Sequence, residues 1–267
     1  MIRCRMVGGG FQHQEAVSIH NKLPKDFVWV RDNGEYDISV HVDDGMKIGL
    51  DLPKKNKFGW IFECREVVTT TQWVIDNLEE VCNSYEIIFT HNKILLDLGK
   101  NFVFMPGNAF WIEEPKISEK NKLISMFSSS KGFTSGHKKR LLTVEKYKND
   151  VDLYGRIINP ILRKEEGLED YMFSIVVENA KYDNFFTEKI LDCFAMGTIP
   201  IYWGTDTIDS YFNSEGIIKL TDDFQVKSLS KEVYESKLEY VKDNFNRVKE
   251  YQVLEYRIIE YLNKKNG

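Results

Sequence analysis

Short β-branched and aromatic runs alternate with helical patterns along nearly the whole chain. That alternation admits few folds other than parallel α/β sheets with helices as crossovers. In the first part, strands are predicted over residues 2–7, 27–30, 38–41, 59–62, 87–90 and 102–105. Two helices fall among the last three. Over 71–82, Val74, Leu78 and Val81 recur at spacings of four and three, an apolar stripe. The helix over 92–98 is shorter and stops at Gly99. The stretch 113–121, EEPKISEKN, is polar and reads as a linker. After it come strand 123–128, helix 135–149, strand 151–155, a helix or turn over 164–170, strand 173–177, helix 186–196 and strand 198–203. From 230 to 264 the pattern is one or two amphipathic helices packing on a sheet.

Two α/β halves are therefore expected: residues 1–115, then 122–229, with helices over 230–267 packing across both. Open parallel sheets bind ligands at the carboxyl ends of their strands, which makes a cleft between the halves the expected site. The 267 residues suit one large domain or two small ones at ~150 residues each. A chain of this size buries roughly 70–75% of its unfolded surface, so it needs no disulfide or metal to fold.

Composition excludes several classes. No apolar run exceeds four residues, against the ~20 that a membrane span needs. MIRCRMVGGG contains no apolar signal-peptide core. Cys4, Cys64, Cys82 and Cys193 are scattered, with no CxxC pair, which favours reduced thiols and a cytoplasmic location. Lys+Arg 36 against Asp+Glu 41 leaves 36 − 41 = −5, no footprint for general nucleic-acid binding.

Chemistry concentrates in residues 173–204, FSIVVENAKYDNFFTEKILDCFAMGTIPIYWG. A strand runs into Glu178 and Asn179, a polar loop follows, and Thr187 is placed to cap a helix whose first turn holds Glu188 and Lys189. Ile190, Cys193, Phe194 and Gly197 form its packing face. Glu188 suits a helix N-terminus. Lys189 does not, unless it is a solvated surface lysine or serves a bound phosphate beside the free amides.

This segment resembles the donor-binding motif of the α-1,3-fucosyltransferases, glycosyltransferase family 10. Glu178, Asn179, Thr187, Glu188, Lys189, Pro200, Tyr202 and Gly204 match it. Phe185 departs, standing where bacterial members commonly carry a Tyr close to the nucleotide sugar. The resemblance implies a GT-B-like fold of two Rossmann-like domains facing a cleft. It implies inverting transfer of a sugar, L-fucose from GDP-fucose, to a hydroxyl of a carbohydrate acceptor. The GDP-sugar is then a co-substrate, with no cofactor and no metal. The absence of an anchor and stem resembles soluble bacterial or viral members.

Upstream, SSSKGFTSGHKKR (128–140) carries a strand into a Ser/Gly-rich loop and a helix start capped by Thr134 or Ser135. His137 and Arg140, three apart, share a helix face. Small residues, a helix N-terminus and an Arg make an anion site, although the Walker order is missing. A basic helix face with no ligand is the plainer alternative. The resemblance assigns a diphosphate contact here to Arg140, then to His137 or Lys138.

The first half carries weaker signals. Gly8-Gly9-Gly10 is not GxGxxG and is as well explained by a turn; Phe11, Gln12 and His13 after it are acceptor-site candidates. Glu63 and Glu66 follow the strand GWIF, and inverting transfer needs a carboxylate to take the acceptor proton. The resemblance implies a glutamate base after a comparable strand, so Glu63 is the first choice and Glu66 the second. Asp150-Val-Asp152 has the DxD form but reads as structural, as do His20, His41 and His91. Three alternatives remain at this level: another nucleotide sugar, a non-carbohydrate acceptor such as a modified nucleobase, or a non-catalytic nucleotide-sugar or glycan-binding protein. The sequence does not indicate the oligomeric state.

Overall fold

The computed structural model describes all residues except 10–14, 19, 32–33, 157 and 267, together with the side chain of residue 266. The candidates Phe11, Gln12 and His13 lie outside the described residues. The chain forms two compact units. One comprises Met1–Ala109, Asp183–Phe185 and Gln252–Gly267; the other comprises Phe110–Tyr182 and Phe186–Tyr251.

The first unit runs β1 (Ile2–Gly8), β2 (Phe27–Val30), β3 (Ile38–Val42), α1 (Gly45–Ile48), β4 (Lys57–Ile61), α2 (Thr70–Asp76), α3 (Leu78–Ser84), β5 (Ile87–Thr90), α4 (Lys93–Asp97) and β6 (Phe102–Phe104). The strands are parallel, in the order β2-β1-β3-β4-β5-β6. Side chains alternate across the sheet as period two requires. Phe58, Trp60 and Phe62 enter one core with Phe27, Trp29 and Val40, while Ile61 enters another with Met46, Val74, Val81 and Leu95. Strand β4 begins two residues earlier than 59 and ends at Ile61. Gly8, at φ +99, has a packing reason: a Cβ there would lie 2.7 Å from the Gly45 Cα.

The single helix expected over 71–82 is two helices. Asn77 sits between them at φ −121, ψ 30, and its amide donates to the Trp73 carbonyl at 2.9 Å. A short polar side chain that bonds backbone in this way competes with the helix ladder.

The second unit runs β7 (Lys122–Phe127), α5 (Ser135–Tyr147), β8 (Asp152–Tyr154), β9 (Tyr171–Val177), α6 (Glu188–Ala195), β10 (Ile199–Trp203), β11 (Ile218–Lys219), α7 (Lys231–Ser236) and α8 (Leu238–Val248). Its parallel sheet has the order β11-β10-β9-β7-β8. Ile124, Phe173, Ile175, Ile199 and Ile201 fill the core under Tyr234 and Val241 of the C-terminal helices. Residues 164–170 hold only a 3-10 turn, Lys164–Gly167.

The polar stretch 113–121 is no free linker. Lys120 is buried, and its ammonium donates to the carbonyls of Leu168 (3.0 Å), Glu169 (2.8 Å) and Met196 (2.7 Å). The Lys116 amide bonds the Ala195 carbonyl. These carbonyls compensate the buried charge and strap the segment to its unit. The final helix, α9 (Glu255–Asn266), belongs to the first unit, where Leu254 and Ile258 join the Trp60 core.

Candidate functional site

In the second unit the expected donor residues gather at the carboxyl end of β9, around the N-termini of α5 and α6. Glu178, the residue after β9, is fully buried. Its Oε1 accepts the Thr187 amide at 3.0 Å and its Oε2 the Thr187 hydroxyl at 2.7 Å. Thr187 caps α6, and its Oγ1 accepts the Lys189 ammonium at 2.9 Å. Lys189 also lies 3.0 Å from Glu188 Oε1 and 3.6 Å from Glu178 Oε2. The cation that suits a helix N-terminus poorly is thus held there by two carboxylates and the cap.

Burial alone would push the Glu188 carboxyl up. Lys189, Lys164 and its hydrogen bonds outweigh that and hold it at about 2. Lys164 is the site residue that sequence reasoning missed. Its ammonium pairs with Asp192, one turn after Glu188 on α6, and lies 4.9 Å from the Trp111 ring centroid. The Asp192 carboxyl, buried and only partly relieved by Lys164, is raised to about 6. The i, i+4 spacing of Glu188 and Asp192 was the one available signal. Nothing in the sequence points to Lys164.

On α5, Thr134 is the cap, and it forms a reciprocal box with His137. Gly136 is obligatory: a Cβ there would fall 1.9 Å from the Glu178 carbonyl oxygen. Buried Arg140 donates Nε (3.2 Å) and Nη2 (2.5 Å) to the Val177 carbonyl, and Nη2 to Asn179 Oδ1 at 3.2 Å. Much of its donor capacity is therefore spent on fixing the end of β9. Burial, then Arg140, Lys131 and Lys189, push the His137 imidazole below its ordinary value, so it is neutral at pH 7. Lys138 is exposed, and Lys139 pairs with Asp222 at 2.7 Å.

Two expected donor contacts are enclosed. The Tyr202 hydroxyl accepts the Thr205 amide at 3.3 Å, and the side chain is 5% exposed. Phe185 belongs to the first unit, where its buried ring lies 4.8 Å from that of His91. Asp152 accepts the Tyr171 hydroxyl at 2.6 Å, a structural use.

In the first unit Glu63 and Glu66 follow β4, both partly buried. The Glu63 main chain is held at both of its polar groups, its amide by Asp43 Oδ1 (3.4 Å) and its carbonyl by His91 Nε2 (3.4 Å). His41 and His91 are buried, and burial lowers both to about 4. Among the described residues, no three or more His, Cys, Asp or Glu are grouped to hold a metal ion. Nor is any helix there long and apolar enough to cross a membrane.

The profile of glycosyltransferase family 10 (fucosyltransferase), C-terminal part, matches residues 117–260. The α-(1,3)-fucosyltransferase FucT of Helicobacter pylori is 36% identical over 62 residues, 23% of this chain and 13% of that protein. The α-(1,3)-fucosyltransferase B of Drosophila melanogaster is 38% identical over 58 residues, 22% of this chain and 13% of that protein. These alignments span about an eighth of each relative. A crystal structure of an α1,3-fucosyltransferase with GDP shares the two-sheet GT-B-type fold. Its TM-score is 0.54 at 13% identity, over 92% of this chain and 81% of that one. A second α1,3-fucosyltransferase structure gives 0.53 at 12%, over 98% and 89%. With more than half of its residues inside the matched profile, the chain belongs to glycosyltransferase family 10, the fucosyltransferases.

Proposed function

We propose that the chain transfers L-fucose from GDP-fucose, with inversion, to a hydroxyl of a carbohydrate acceptor. One observation carries this reading: Lys189, tied to Thr187 and Glu178 at the start of α6, with His137 of α5 near enough to feel its charge. A cation at a helix N-terminus is a phosphate site. The matched profile runs through all of these residues, and structures sharing the fold were determined with GDP and with GDP-fucose.

In the proposed step Glu63, or Glu66 in its place, takes the proton of the acceptor hydroxyl as that oxygen bonds the anomeric carbon. The bond from that carbon to the β-phosphate oxygen breaks, and GDP leaves with the electron pair. Lys189 offsets the charge developing on the diphosphate. Arg140, Asn179 and neutral His137 supply donors, with Lys138 at the rim. Glu188 orients the sugar or ribose, Glu178, Thr187 and Tyr202 hold the second unit's donor residues in place, and Phe185 is proposed as a donor contact. Phe11, Gln12 and His13 are proposed for the acceptor.

A thermal-shift series with GDP, UDP and GDP-fucose tests the donor. A nucleotide at 100 times its Kd stabilises by about 2.7 kcal/mol. GDP should raise Tm, and GDP-fucose should release GDP on turnover. Stabilisation by UDP but not by GDP overturns the assignment.

A further inference from the structure

Strand pairing between β3 and β4 ends at Val42 opposite Trp60. The next residue, Asp43, donates its amide to the Trp60 carbonyl at 2.9 Å and then turns into the left-handed region at φ 46. Asp is one of the few residues that enter that region readily. The turn swings its side chain back along β4, where Oδ1 accepts the Phe62 amide at 2.9 Å and the Glu63 amide at 3.4 Å. One carboxylate oxygen thus takes over from the lost ladder for the two residues that carry the chain out of the sheet. The Glu63 carbonyl oxygen can only accept, so His91 Nε2 is the donor in the 3.4 Å contact on the other side. Asp43 is 4% exposed and His91 1%. A surface turn needs no such buried pair.

We propose that Asp43 is a positioning residue for Glu63, fixing through the Phe62 and Glu63 amides the direction in which Glu63 leaves β4. The inference rests on the reading of Glu63 as the base. Its chemistry is that of an acceptor for backbone N–H groups, a role that Asn also fills. Burial, with Glu63 and Asp44 adding to it, raises the Asp43 carboxyl to about 7.

The test is GDP release from GDP-fucose, with water and with an oligosaccharide panel as acceptors, on Asp43→Ala, Asp43→Asn, Glu63→Gln and the double variant Asp43→Ala/Glu63→Gln. GDP Kd and Tm are read for each. Misplacing a reacting group by about 1 Å costs on the order of 10²-fold. Asp43→Ala should lower kcat 10- to 100-fold with GDP Kd unchanged. Asp43→Asn should recover most of that loss. The double variant should match Glu63→Gln within about threefold, because a base already removed cannot be misplaced. If Glu63→Gln is inactive while folded Asp43→Ala turns over normally, or the two losses multiply, the positioning role falls alone. If Asp43→Asn is as inactive as Asp43→Ala, the charge matters and not the acceptor, and the role also falls. Wild-type turnover by Glu63→Gln removes the base reading, and the inference with it.

Discussion

Glu178 and Thr187 are bound twice: one carboxylate oxygen takes the threonine amide at 3.0 Å and the other its hydroxyl at 2.7 Å. The same hydroxyl oxygen accepts Lys189. A buried carboxylate, a helix cap and a cation therefore form one chain of contacts. Thr187→Val keeps the shape but leaves Glu178 Oε2 without its donor and α6 without its cap. A charge-assisted hydrogen bond is worth about 1.5–3 kcal/mol and a cap about 0.5–2 kcal/mol. Urea unfolding should show Thr187→Val about 2–4 kcal/mol less stable, with Thr187→Ser close to wild type. Equal stability of the two variants would contradict this account.

Lys189 and Arg140 should separate in their effects. Lys189 is partly exposed where Arg140 is buried, and Lys189→Ala should weaken GDP binding about 10- to 150-fold, the 1.5–3 kcal/mol of a charge-assisted contact. Arg140 spends donors on Val177 and Asn179, so Arg140→Ala should lower stability by several kcal/mol as well as affinity. Calorimetric titration with GDP beside chemical denaturation decides it; unchanged GDP affinity in both would place the diphosphate elsewhere.

Glu63→Gln should lower kcat ~10²–10⁴-fold with donor affinity kept, the usual share of general base catalysis. Glu66→Gln should be the milder. Near-wild-type kcat in both variants would place the base at another residue, with His13 next.

Asp43 also makes a pH prediction. Its carboxyl binds a proton more tightly folded, at about 7, than unfolded, at the ordinary 3.8. Its contribution is therefore whole below 3.8 and is lost as pH rises toward 7, at about 1.4 kcal/mol per unit. Asp43→Asn lacks that loss. Its stability relative to wild type should climb between pH 4 and pH 7; a flat difference over that range would refute the shift.

On the proposed step, with Arg140 and Lys189 offsetting the charge of the leaving diphosphate, turnover should persist in EDTA. Activity abolished by chelation and restored by manganese would direct attention to Asp150 and Asp152.

What the chain's own order determined was local. Period-two and period-four patterning set the strands and helices, because backbone propensity and apolar spacing act within a few residues. Thr187 capping α6 and the Glu178–Lys189 motif were legible for that reason. Which charges are buried, and against what, was decided by tertiary structure. Asp43 and His91 meet Glu63 from 20 and 28 residues away, because parallel pairing sets the ends of β3, β4 and β5 side by side. Lys164 reaches Asp192, and Lys120 finds carbonyls 48 and 76 positions on, only once the second sheet has formed. A charge leaves water only where folding supplies its partners, and no spacing rule encodes partners brought together from distant parts of the chain.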